Sequence, residues 1–122
     1  MVNSIVIICE ESPFGKNSVA ESIRMATGLL AVGDIDDVKV ILMKDAINLL
    51  NKNLNPEAIN SDKFSTIFRL VELSGIEIFI HYEDLNVAGL DFTDLILKDN
   101  IKVVDIEKIA QLISEADMSF RY

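Results

Sequence analysis

Short β-branched apolar runs, separated by segments of helical spacing, constrain this chain more than any other feature. Ile5 to Cys9, Val38 to Met43, Ile76 to Ile80 and Ile101 to Val104 are each too brief for a helix. Ile5 to Cys9 is apolar on successive residues, as a strand buried on both faces is. Met118 to Tyr122 reads as a fifth strand. Between the first two runs, Val19, Ile23, Ala26 and Leu30 recur at helical spacing from Ser18 to about Gly33. Ser18-Val19-Ala20-Glu21 forms a capping box at the start of that helix, and Gly33 suits its stop. Strands alternating with helices predict a three-layer α/β/α fold around a mostly parallel five-stranded sheet.

The remaining connections follow the same logic. Lys44 to Leu50 reads as a short helix, followed by a polar break over residues 51–55. Asn55-Pro56-Glu57 has the cap, first-turn proline and acid of a helix start, and Phe64, Ile67, Phe68 and Val71 mark a helix ending near Ser74-Gly75. Glu83 to Ala88 reads as a helical turn stopped by Gly89, and Asp105 as the cap of a helix carrying Ile109, Leu112 and Ile113.

A chain of 122 residues folds to a surface of roughly 6,500 Å², burying about two-thirds of its unfolded area. That is enough for one core and not for two, so residues 1–122 are expected to form a single domain. Eleven Lys and Arg against 20 Asp and Glu give a net charge of −9. This argues against a direct grip on nucleic acid or anionic lipid, because phosphate contacts need clustered cations. No apolar stretch approaches the roughly 20 residues of a membrane span. The N-terminus lacks the basic region of a signal peptide, and a cytoplasmic location is expected. Cys9 is the only cysteine, which excludes an internal disulfide and a cysteine-based zinc cage.

Ligands of open α/β sheets sit outside the C-terminal ends of the strands. That rule selects Cys9 to Lys16, Met43 to Ala46 and His81 to Asp84. Gly15-Lys16 echoes a phosphate loop, yet Glu10 and Asn17 occupy the positions where the pattern needs Gly and Ser or Thr. Glu10 and Glu11 resemble the acidic pair of a phospho-receiver, but Asp84 lies four residues past Ile80 and no Lys follows the last strand. Cys9 as a nucleophile needs a stabilised thiolate, and the adjacent Glu10 and Glu11 work against one, so it reads as a buried structural thiol. His81, the only histidine, can do acid–base work at a strand end, but it has no second nitrogen ligand and no Ser or Cys placed for it to activate. A metal there would rely on Glu83 and Asp84. Phe120, Arg121 and Tyr122 form an aromatic–Arg–aromatic end of the kind enriched at interfaces, and an oligomer contact competes there with plain edge-strand packing.

Taken together, the chain resembles the DsrE/DsrF sulfur-relay family nearly end to end, in its TusC/DsrF branch. The resemblance rests on four segments: the turn Ser12-Pro13-Phe14-Gly15 after the first strand, Lys44-Asp45-Ala46-Ile47-Asn48-Leu49-Leu50, the stretch from Ile80 to Leu90, and the terminus from Ala116 to Tyr122. It implies flavodoxin-like layering and a trimer or hexamer built from homologous small DsrE/DsrH-like subunits or from copies of itself. It implies no cofactor. In sulfur-carrying members a cysteine stands eight residues before the glycine of the third segment, and here that position is His81. A histidine cannot hold a sulfane sulfur. The resemblance therefore implies an accessory or structural subunit of an intracellular sulfur-transfer complex, serving tRNA 2-thiouridine formation or dissimilatory sulfur oxidation. No catalytic or metal residue is assigned with it. The competing expectation is an autonomous homo-oligomeric enzyme or small-molecule-binding protein with a site around Cys9 and His81.

Overall fold

Apolar runs become strands here because neighbouring strands and helices cover both of their faces. In the computed structural model, which describes residues 3–11, 18–33, 35–50, 69–91, 93, 95 and 100–121, five strands form one sheet in the order β4-β3-β2-β1-β5. They are β1 (Ser4–Cys9), β2 (Asp37–Leu42), β3 (Glu77–His81), β4 (Ile101–Val104) and β5 (Met118–Arg121). Every pairing is parallel, so the expected mostly parallel sheet is wholly parallel. The helices are α1 (Ser18–Val32), α2 (residues 69–74), α3 (Tyr82–Ala88) and α4 (Ile106–Glu115). Lys44–Leu50 is helical as expected, but it winds as a 3-10 segment, η1.

Several expected features lie outside the described residues: the turn Ser12 to Gly15, the polar break and the Asn55-Pro56-Glu57 cap, Phe64, Ile67, Phe68, and Tyr122. The side chain of Ser18 in the expected capping box also lies outside them.

Strand periodicity divides the core in two. On one face Ile5, Ile7, Cys9, Val40, Leu42, Ile78 and Ile80 pack with Ile23 and Ala26 of α1, Ala46 and Ile47 of η1, Val71 of α2 and Leu85 of α3. On the other, Val6, Ile41 and Phe79 cluster with Ile109 and Leu112 of α4. Ile7, Ile41, Leu42, Ile78 and Ile80 are shut off from solvent. The accessible surface is 6680 Å².

Helix ends obey local chemistry. Asp105 caps α4 as expected, its Oδ1 accepting the Lys108 N–H at 2.9 Å. Gly89 ends α3 in the left-handed region (φ 71°), where the Leu90 N–H reaches back to the Leu85 carbonyl at 2.9 Å. The start of β5 is tied to that of β1: Asp117 Oδ2 accepts the Asn3 and Ser4 N–H groups at 2.8 and 3.2 Å. These two backbone donors hold the Asp117 carboxyl below its usual value.

Candidate functional site

With all strands parallel, their C-terminal ends share one rim of the sheet. Four of them contribute to a continuous polar chain there. Arg121, at the end of β5, donates from Nε to Glu10 Oε1 at 2.7 Å and also pairs through its terminal nitrogen. Glu10, just past β1, takes Lys44 Nζ on its other oxygen at 2.8 Å. Lys44, two residues past β2, donates its backbone N–H to Asp84 Oδ2 at 2.7 Å. The same oxygen lies 2.7 Å from Nδ1 of His81, the last residue of β3. Glu83 Oε2 closes the series 2.5 Å from His81 Nε2, although that contact is off the hydrogen-bonding direction and the buried Nε2 has no properly oriented partner among the described residues.

Charge pairing fixes Glu10 in its ionised form. Hydrogen bonds from Lys44 and then from Arg121 hold its carboxyl below the ordinary value, against a smaller opposing effect of burial. Lys44 is the only non-glycine among the described residues with positive φ, at 51°. The left-handed turn aims its N–H at Asp84 while its side chain crosses to Glu10. Backbone strain of this kind persists where surrounding contacts hold it.

Cys9 and His81 are not brought together. Cys9 belongs to the cluster under α1 and is shut off from solvent. The register Ile41↔Phe79 sets Phe79 on the α4 face, and His81, two residues on, shares that side. Strand β2 also lies between the two. A single site around Cys9 and His81, the competing expectation from sequence, therefore does not assemble.

Burial pushes the Cys9 thiol above its ordinary value. Hydrogen bonds with the Glu11 backbone and the Ser22 side chain offset part of this, and repulsion by Glu11 and Glu10 adds the smaller remainder. The direction is the one expected from sequence, but desolvation leads, and the adjacent carboxylates contribute less. Among the described residues no three His, Cys, Asp or Glu side chains are grouped to hold a metal ion. No helix of the described residues is long and apolar enough to cross a membrane.

The aromatic–Arg terminus has intramolecular uses. Phe120 packs against the α1-side core, and Arg121 turns onto Glu10. Sequence reading missed the part played by Glu10 and Lys44. Their position at strand ends was the available signal, but nothing local pairs them with each other or with Arg121.

Beside this chain a groove of about 240 Å³ opens between η1 and α3, lined by Lys44, Asp45, Asn48, Asp84, Val87 and Ala88. Its place at the strand ends is where α/β sheets put ligands.

Comparison with known proteins agrees with the fold. The structure superposes on that of the ychN protein from E. coli with a TM-score of 0.78 and 21% identity, over 98% of this chain and 99% of that one. It also superposes on MTH1491, a protein of unknown function from Methanobacterium thermoautotrophicum, with a TM-score of 0.67 and 17% identity over the whole of both chains. No curated protein matches the sequence. The described family pattern of DsrE/DsrF-like proteins covers residues 3–120, and the chain belongs to the DsrE/DsrF-like family.

Proposed function

We propose that the chain is an accessory or structural subunit of an intracellular sulfur-transfer complex, of the TusC/DsrF kind, and carries no sulfur itself. The observation that supports this reading is His81. By the family resemblance it takes the position where sulfur-carrying members have cysteine, and at the end of β3 it is buried against Asp84 and Glu83. An imidazole forms no persulfide, and the enclosed ring is held in place by its carboxylate neighbours.

Cys9 does not replace the missing carrier. A sulfur carrier needs an accessible thiolate, whereas this thiol is enclosed in the core and pushed toward its protonated form. The complex would serve tRNA wobble-uridine thiolation or dissimilatory sulfur oxidation, with sulfur chemistry in a homologous neighbour. A net charge of −9 suits docking on proteins and leaves RNA contact to other subunits.

Native mass spectrometry of the endogenous protein tests the reading. Two homologous small chains with it in a trimer or hexamer are expected. Assemblies of its own copies alone, together with persulfide loading of Cys9 at carrier-like rates, would overturn it.

A further inference from the structure

The groove between η1 and α3 has an unbalanced set of hydrogen-bonding groups. Both bonds that Asp84 forms with described residues fall on Oδ2, from the Lys44 N–H and from His81, so Oδ1 keeps its capacity to accept. The Asp45 carboxylate forms no hydrogen bond or ion pair with a described residue; only its backbone carbonyl is engaged, accepting Asn48 Nδ2 at 3.2 Å. That bond uses one of the two N–H groups of the Asn48 amide and leaves its oxygen. Acceptors therefore outnumber donors around the cavity.

The one cation among the described residues of the wall does not correct this, because Glu10 draws the Lys44 ammonium to itself at 2.8 Å. Glu10 is in turn held ionised by both Lys44 and Arg121. The remaining wall is apolar: Ala88, and Val87, which is 87% exposed although fully apolar.

An ammonium group offers three donors and a positive charge, and its aliphatic stem lies along apolar surface. The groove's 240 Å³ is below the roughly 300–1,000 Å³ of sites that enclose drug-sized ligands, and matches one long side chain. We propose that this groove docks a lysine side chain presented by a partner protein, with the stem on Val87 and Ala88 and the ammonium among Asp45, Asp84 and the Asn48 oxygen. Charge complementarity favours a partner: a chain of net charge −9 attracts basic surfaces over a Debye length before contact. The proposal deepens the accessory-subunit reading by giving the chemistry of what the partner presents.

The test is titration of the isotope-labelled full chain with the peptide acetyl-Gly-Lys-Gly-amide, followed by backbone amide shifts. Saturable shifts confined to Asp45, Asn48, Asp84, Val87 and Ala88 are expected, with none from the norleucine peptide, which keeps the stem and lacks the charge. Asp45→Asn, a surface change, is expected to weaken binding at least threefold, and Asp45→Glu to restore part of it. Equal shifts from the norleucine peptide, or no shifts from the lysine peptide, would overturn the proposal. Cadaverine binding tighter than the peptide would overturn the protein partner in favour of a free amine. The two readings fail separately. Lysine binding by a protein that purifies only with its own copies removes the accessory role and keeps the groove. Homologous partners without lysine binding do the reverse.

Discussion

The ends of β1 and β3 each place one titratable side chain inside the protein, and the two are treated in opposite ways. Cys9 is enclosed by apolar neighbours under α1, where loss of water governs its thiol. His81 is enclosed by carboxylates: Asp84 on one nitrogen and Glu83 near the other. One end is anchored by packing and the other by polar contacts that must be satisfied together. Burial alone therefore says little about a role, whereas the partners of a buried group say a great deal.

The largest effect that separates the two ends is on stability. Asp84 is 19% exposed, and its Oδ2 holds both the Lys44 N–H and His81. Asp84→Ala leaves two donors without an acceptor and is expected to cost about 2–4 kcal/mol. Cys9→Ala removes one sulfur from a packed site and is expected to cost about 1 kcal/mol. Urea unfolding of both variants measures the difference. A larger loss for Cys9→Ala would mean that the polar anchoring of β3 is decorative and would break the contrast.

A second effect concerns reactivity. Desolvation, the leading influence on Cys9, both raises its pKa and blocks reagents. Alkylation by iodoacetamide at about pH 8 is expected at least roughly tenfold slower than for a free thiol, about 1.4 kcal/mol in barrier terms. The rate should rise as urea opens the chain. Because the folded pKa is raised, stability is full below the unfolded thiol value and falls as pH climbs above it. Rapid labelling of the folded protein would show that Cys9 is open to reagents and not governed by loss of water.

Much of this architecture was legible before any coordinates. Strands announce themselves through contiguous β-branched residues, and Asp105 and Gly89 through chemistry that acts within a few positions. The site was legible only as a set of strand ends. Glu10 and Arg121 stand 111 positions apart, and Lys44 and Asp84 stand 40 apart. No local periodicity encodes such pairs; they arise once register aligns the strands. The same holds for the separation of Cys9 from His81. Alternation along each strand is readable, but which alternate residues share a face depends on the register between strands.

The acid limb of stability sharpens the comparison further along the rim. Glu10 titrates below its ordinary value, so its pairs stabilise the fold above the unfolded glutamate pKa, and that contribution is lost as pH falls through the folded one. Glu10→Gln is expected to flatten the pH dependence of the urea midpoint in that acidic window. Lys44 and Arg121 are well exposed, at 64% and 72%, so screening keeps the effect within about 1 kcal/mol. An unchanged slope would show that the rim pairs are ornaments of the surface and that the β3 end is anchored without help from β1.

The smallest expected effect falls on Lys44, where the two ends meet. Its left-handed backbone costs a side-chain-bearing residue about 1 kcal/mol, which glycine avoids. Against that gain, Lys44→Gly loosens the unfolded chain by about 0.4–1 kcal/mol and removes an exposed ion pair of about 0.5 kcal/mol. The terms oppose one another, and the net change is expected to lie within about 0.5 kcal/mol of zero. Lys44→Ala keeps the strained backbone and loses the same pair, so it should be the less stable of the two. Urea midpoints order them directly. If glycine proves the worse replacement, the freedom it gives the unfolded chain outweighs the strain it relieves, and the left-handed turn at the middle of the polar chain from Arg121 to His81 stores little energy.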